Sequence, residues 1–164
     1  MKKILCMLLT LAALVCTCAC EPNQPEGTEF APFTYRGMLI SLDTDADVAL
    51  GDLGDYLSFA ETNSCYGDGK DKVYQYTSFK LQTYSQNGKD YVLSLEIFND
   101  VDEGACTAEG IRIGDTADDV VAHYGEAKTQ TATTIVYVNP DTNTRLQFLL
   151  RDGVVTNIQY LKNE

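Results

Sequence analysis

Six cysteines, one histidine and a short run of alternating aspartates are the residues of this 164-residue chain that could carry chemistry. A cysteine nucleophile needs a neighbour that keeps it a thiolate, and a zinc site needs clustered thiolate or imidazole ligands. His123 has no second histidine to work with, CxxC and HxxxH spacings are absent, and no activating motif surrounds Cys65 or Cys106. Neither thiol catalysis nor zinc is expected. Asp43-x-Asp45-x-Asp47 opens like a calcium-binding EF-hand loop, yet Val48 holds the place of the turn glycine and Gly54 that of the bidentate acid. Helix capping explains the aspartates more simply, since carboxylates suit the free N–H groups at a helix start. Gly67-Asp68-Gly69-Lys70-Asp71-Lys72 lacks the order of a phosphate loop, and neither GxSxG nor HExxH occurs. The expectation is a non-enzyme without a cofactor, with a calcium- or small-ligand-binding secreted domain as the alternative.

The first twenty residues, MKKILCMLLTLAALVCTCAC, explain most of the cysteines. Lys2 and Lys3 precede an apolar run from Ile4 to Val15, which is too short to cross a hydrocarbon core that needs about 20 residues. Residues 1–19 therefore read as an export signal. The segment resembles a bacterial lipoprotein signal, in which a small residue precedes a cysteine that is lipidated and becomes the new N-terminus. Ala19-Cys20 fits that ending, and cleavage before Cys18 is the alternative. Residues 20–32, with Pro22, Pro25 and several acids, suit an extended tether. The expected location is outside the cytoplasm, held to a membrane by lipid at Cys20. Cys6, Cys16 and Cys18 go with the signal, which leaves Cys65 and Cys106. An exported chain is expected to join them, closing a loop of about forty residues worth roughly 3 to 4 kcal/mol.

Lys2 and Lys3 are two of only 12 basic residues against 24 acidic ones, so the remainder is more acidic still than the formal −12 of the whole chain. Such a charge repels phosphate backbones, and no basic stripe offsets it. Nucleic acid is excluded as an expected partner. The length left, residues 33–164, is that of a single domain with its own core.

That domain says the same thing twice. Asp43-Thr44-Asp45-Ala46-Asp47-Val48-Ala49-Leu50-Gly51-Asp52-Leu53-Gly54 is echoed by Gly114-Asp115-Thr116-Ala117-Asp118-Asp119-Val120-Val121-Ala122-His123-Tyr124-Gly125. Each copy offers an N-cap, acids in the first turn and a closing glycine, the signature of a short helix. Three stretches of alternating or β-branched residues follow each helix: 72–77, 79–84 and 91–99, then 133–138, 145–151 and 154–161. The copies run over 37–99 and 110–161, joined by 100–109. Their separation exceeds the period of common solenoids, so two fused helix-β-β-β units sharing one antiparallel sheet is the simpler arrangement.

Gly110-Ile111-Arg112-Ile113-Gly114-Asp115, with the helix ending Val120-Val121-Ala122-His123-Tyr124-Gly125-Glu126, resembles the repeat of β-lactamase inhibitor protein-like domains and of small SmpA/OmlA-like lipoproteins. The resemblance covers 110–161 and, more faintly, 37–99. It implies an α+β fold, with one antiparallel sheet covered on one face by short helices while the other face grips a protein. Glu126-Ala127 replaces the family's proline after the helix, and residues 61–71 are an insertion in the first copy.

Period-two alternation then assigns faces. Tyr91, Leu93, Leu95, Ile97, Leu146, Phe148, Leu150, Ile158 and Tyr160 are expected to face the helices. Lys80, Gln82, Tyr84, Ser94, Glu96, Phe98, Arg145, Gln147, Asn157 and Gln159 are expected on the other face. A polar surface studded with aromatic rings suits protein recognition, because rings bring contact area at low entropic cost. An ordinary solvated sheet face is the alternative. The expected function is a non-catalytic protein-binding module at the bacterial cell envelope, with Lys80, Gln82, Tyr84, Glu96, Phe98, Arg145, Gln147, Asn157 and Gln159 as its binding face.

Overall fold

A computed structural model describes residues 32–102 and 104–162. The expected signal, Cys20 and the tether as far as residue 31 lie outside the described residues.

Phe33, Tyr35 and Ile40 point inward from a hairpin of β1 (Phe33–Tyr35) and β2 (Met38–Ile40). Arg36 and Gly37 form its turn, both with positive φ, as a two-residue hairpin with the right twist requires. Helix α1 (Ala46–Leu53) starts where the Asp45 carboxylate accepts the Asp47 N–H at 3.0 Å, and it stops at Gly54. The first half continues through β3 (Ser58–Asn63), β4 (Lys70–Gln75), β5 (Phe79–Gln86) and β6 (Lys89–Ile97). A connecting strand, β7 (Ala105–Thr107), leads to α2 (Ala117–Tyr124), which opens with a reciprocal capping box between Thr116 and Asp119 and closes at Gly125. Then come β8 (Thr129–Gln130), β9 (Thr134–Asn139), β10 (Thr144–Arg151) and β11 (Val154–Lys162).

The α+β expectation is overturned: 50% of the described residues lie in strands and 12% in helices. Two eight-residue helices are too short to cover the eight-stranded antiparallel sheet, whose order is β3-β4-β5-β6-β11-β10-β9-β8. A second sheet of order β2-β1-β7 joins the helices in packing against it. Phe33 and Tyr35 of β1 lie 5.0 and 4.9 Å, ring to ring, from Phe79 of β5. Each half also has four strands in the large sheet rather than three, because β3 and β8 extend it at either edge.

The two halves match in detail. Tyr76 and Tyr137 each donate a hydroxyl hydrogen bond to the carbonyl of a helix-ending glycine, Gly54 and Gly125. The Asp43 N–H bonds to the Val92 carbonyl at 2.8 Å, as the Gly114 N–H does to Val155 at 2.9 Å. A bulge interrupts β5–β6 after Gln82 and β10–β11 after Leu149. The halves meet where β6 pairs β11 through Leu95↔Tyr160, Glu96↔Gln159 and Ile97↔Ile158. Past Leu95 the two strands part, and residues 43–45 line β6 instead. One core spans this seam, with Leu81, Leu95, Ile97, Leu146, Phe148 and Ile158 at no more than 1% exposure.

Candidate functional site

On the side of the large sheet away from β1 and the helices, a polar lattice runs across the seam. Lys80 of β5 stands opposite Glu96 of β6, and Glu96 stands opposite Gln159 of β11. The Lys80 ammonium forms an ion pair with the Glu96 carboxylate, Asn157 donates to it at 2.7 Å and Gln159 at 3.4 Å. Burial works to raise the Glu96 pKa, but these donors outweigh it and hold the carboxyl below the usual glutamate range. Gln147 lies beside Gln159 on β10, Gln82 accepts a hydrogen bond from Ser94, and Phe98 is half-buried just past β6. Thus Lys80, Gln82, Glu96, Phe98, Arg145, Gln147, Asn157 and Gln159 share one half-exposed face. Cross-strand partners on that face include Val73, Val136, Val138, Leu149 and Leu161.

Two assignments fail at the first bulge. Leu93 is the extra residue between Ser94 and Val92, so Val92 turns into the core at 0% exposure while Leu93 turns out to the open side. Tyr91, paired with Tyr84 one step further on, leaves the core side with it. Tyr84 is only 8% exposed. Its hydroxyl donates to Asp43 at 2.9 Å, and its ring meets Tyr66 edge-on at 4.9 Å. Burial and the Asp43 carboxylate push the Tyr84 pKa up to about 12.

Tyr66 belongs to the insertion noted in the first copy, which folds back over the end of the β5–β6 hairpin. The Asp68 N–H bonds to the Ser85 carbonyl at 3.0 Å, and the Asn87 N–H to the Asp68 carboxylate at 3.2 Å. Close approach demands glycine at position 67, where a Cβ would stand 2.0 Å from the Ser85 carbonyl oxygen. With β6 and β11 diverging on the other side, the loop walls a cleft of about 520 Å³. Its lining includes Tyr66, Gln82, Leu93, Ser94, Arg145 and Leu161. Asp43 sits in the gap, accepting from Tyr84 and paired with Lys162. Sequence reasoning missed this cleft, although the insertion that breaks the repeat was its visible signal.

The expected disulfide is corrected: Cys65 and Cys106 are both free thiols. Cys65 is exposed at the cleft, whereas Cys106 is buried in β7, so the large sheet stands between them. Burial pushes the Cys106 thiol pKa up, away from thiolate reactivity. His123 is exposed on α2, its Nδ1 2.8 Å from the Asp119 carbonyl oxygen.

The three aspartates proposed for calcium do not converge. Asp43 binds Tyr84 and Lys162, Asp45 caps α1 and approaches Lys89 at 3.8 Å, and Asp47 lies inside the first helical turn. Among the described residues no group of three histidine, cysteine or acidic side chains is placed to hold a metal ion. Comparison with family models, with curated proteins and with solved structures finds no match to this chain.

Proposed function

We propose that this chain is a lipid-anchored, extracytoplasmic protein that binds another protein, without catalysis, through the open face of its large sheet. The observation that carries this reading is the pre-arranged lattice around Glu96. Three donors fix one carboxylate at the junction of the two halves, beside half-buried apolar residues. A partner can settle on such a surface without first ordering it, which lowers the entropic cost of association. Two buried polar atoms on the same face, Arg145 Nε and Asn157 Oδ1, have no hydrogen-bond partner among the described residues. Buried polar groups cost about 1 to 3 kcal/mol when left unpaired, so these side chains gain by turning toward a docked surface that pairs them. The resemblance of residues 110–161 to β-lactamase inhibitor protein-like repeats points the same way. The anchor rests on the lipoprotein-like ending Ala19-Cys20. Among the described residues no helix is long and apolar enough to span a membrane.

Phe98→Asp combined with Gln147→Arg tests the face, because both side chains lie on it outside the Glu96 lattice. The double variant is expected to keep its melting temperature and to lose envelope proteins that the original chain retains on a column. An unchanged retention profile overturns the face. Mass spectrometry of the mature N-terminus is expected to find a diacylated cysteine at position 20, and an unmodified residue there overturns the anchor.

A further inference from the structure

Among the described residues, six of the ten basic side chains are matched by an acid. Arg36 pairs with Asp102, Lys70 with Glu61, Lys72 with Asp90, Lys80 with Glu96, Lys89 with Asp45 and Lys162 with Asp43. Arg145 differs. It projects from β10 opposite Leu161, it is half-buried, and no acid among the described residues pairs with it. Its Nε is fully withdrawn from solvent and finds no acceptor there. Arg145 lies in the wall of the 520 Å³ cleft where β6 and β11 part, and it also borders a smaller cleft of about 150 Å³.

The acids nearest the cleft are engaged. Asp71 is 7% exposed and accepts the Ser64 hydroxyl at 2.6 Å, while Asp43 holds Lys162 and Tyr84. A half-buried guanidinium left over after every neighbouring carboxylate is taken is a donor awaiting an external acceptor. Its planar fork fits a carboxylate best, through two parallel charge-assisted hydrogen bonds. Gln82 and Ser94 place an amide and a hydroxyl in the same lining, and Leu93, Leu161 and Tyr66 supply apolar wall for a short aliphatic stem.

We propose that this cleft is a carboxylate-recognition pocket that takes a glutamate or aspartate side chain of the bound protein, with Arg145 as its anchor. The proposal rests on the open face being a docking surface and names what that surface selects. Charge decides the class: a chain of formal charge −12 repels acidic partners in general, so an acid is accepted only where a local unpaired cation overrides the field. The pocket exists in one half alone, because the loop that walls it has no counterpart between β8 and β9.

The test titrates the full chain, labelled with 15N, with N-acetyl-glutamate α-methylamide and separately with N-acetyl-glutamine α-methylamide, which differ only in side-chain carboxylate against amide. The Arg145 Nε–Hε resonance is expected to shift saturably with the acid, with affinity for the amide roughly tenfold weaker. Backbone resonances of Gln82 and Ser94 report binding in the variants. They are expected to show none in Arg145→Gln, and weakened binding in Arg145→Lys, which keeps the charge and loses the fork. Absence of saturation in the original chain, or equal responses to acid and amide, overturns the pocket. A chain that ignores both probes yet loses its envelope partner on Phe98→Asp with Gln147→Arg removes the pocket and leaves the docking face. A chain that binds the acid with no dependence on that pair for partner retention does the reverse.

Discussion

Three donors end on the carboxylate of Glu96, and the side chain is about one-fifth exposed, so its ionisation is tied to folding. Its folded pKa lies below its unfolded value, so the stability it contributes is present above the unfolded pKa, near 4.3, and is lost as pH falls through the folded one. Glu96→Gln is expected to lower stability at neutral pH by about 1 to 2 kcal/mol and to flatten the acid limb of the stability curve. Urea denaturation from neutral to acid pH checks both; an acid limb as steep as that of the original chain refutes the assignment. At this scale alternation in the sequence located eight of the nine proposed face residues on one surface. It failed at Leu93 and Tyr91, since a bulge leaves no mark in the alternation of residue types, and it gave no sign that Tyr66 of the insertion covers Tyr84. Only the pairing of Gln82 with Ser94 and of Thr83 with Val92 reveals the shift.

Among the elements, the loop between β3 and β4 is the one that distinguishes the halves. Its path over the β5–β6 hairpin depends on Gly67, because any Cβ there collides with backbone that cannot swing aside. Gly67→Ala is expected to lift the loop, expose Tyr84 and cost about 1 to 3 kcal/mol. Faster hydrogen exchange at the Asp68 amide would accompany it; an unchanged rate would contradict the loop's role. Helices were legible in advance because capping chemistry is local: Asp45 and Thr116 start them, Gly54 and Gly125 end them. β3 was not, because Ser58, Glu61, Thr62 and Asn63 surround one large apolar residue and all six positions stay exposed. The β1–β2 hairpin did carry a signal, in Arg36-Gly37 between Phe33, Tyr35 and Ile40. The importance of that hairpin as cover for the large sheet is a long-range property, settled only where Phe33 meets Phe79.

For the whole molecule, the seam between β6 and β11 decides whether the halves behave as one. Only three positions of β6 and β11 are paired strand to strand, yet Leu95, Ile97, Ile158 and Tyr160 are buried within a single core. Ile97→Ala at 0% exposure is expected to cost about 2 to 5 kcal/mol and to move one cooperative transition rather than split it. Coincident melting by tyrosine fluorescence and far-ultraviolet circular dichroism checks this; separate transitions for the two signals would mean independent halves.

The large sheet also ends unequally. On one rim β3 presents six residues whose outer amides and carbonyls meet no strand among the described residues, while on the other β8 offers two. Should crowding at a membrane press copies together along the longer rim, antiparallel contact would be reciprocal and would consume that rim on both molecules. The stubby opposite border gives a third copy little to grip, so this sheet is shaped to stop at a pair instead of growing into a fibril.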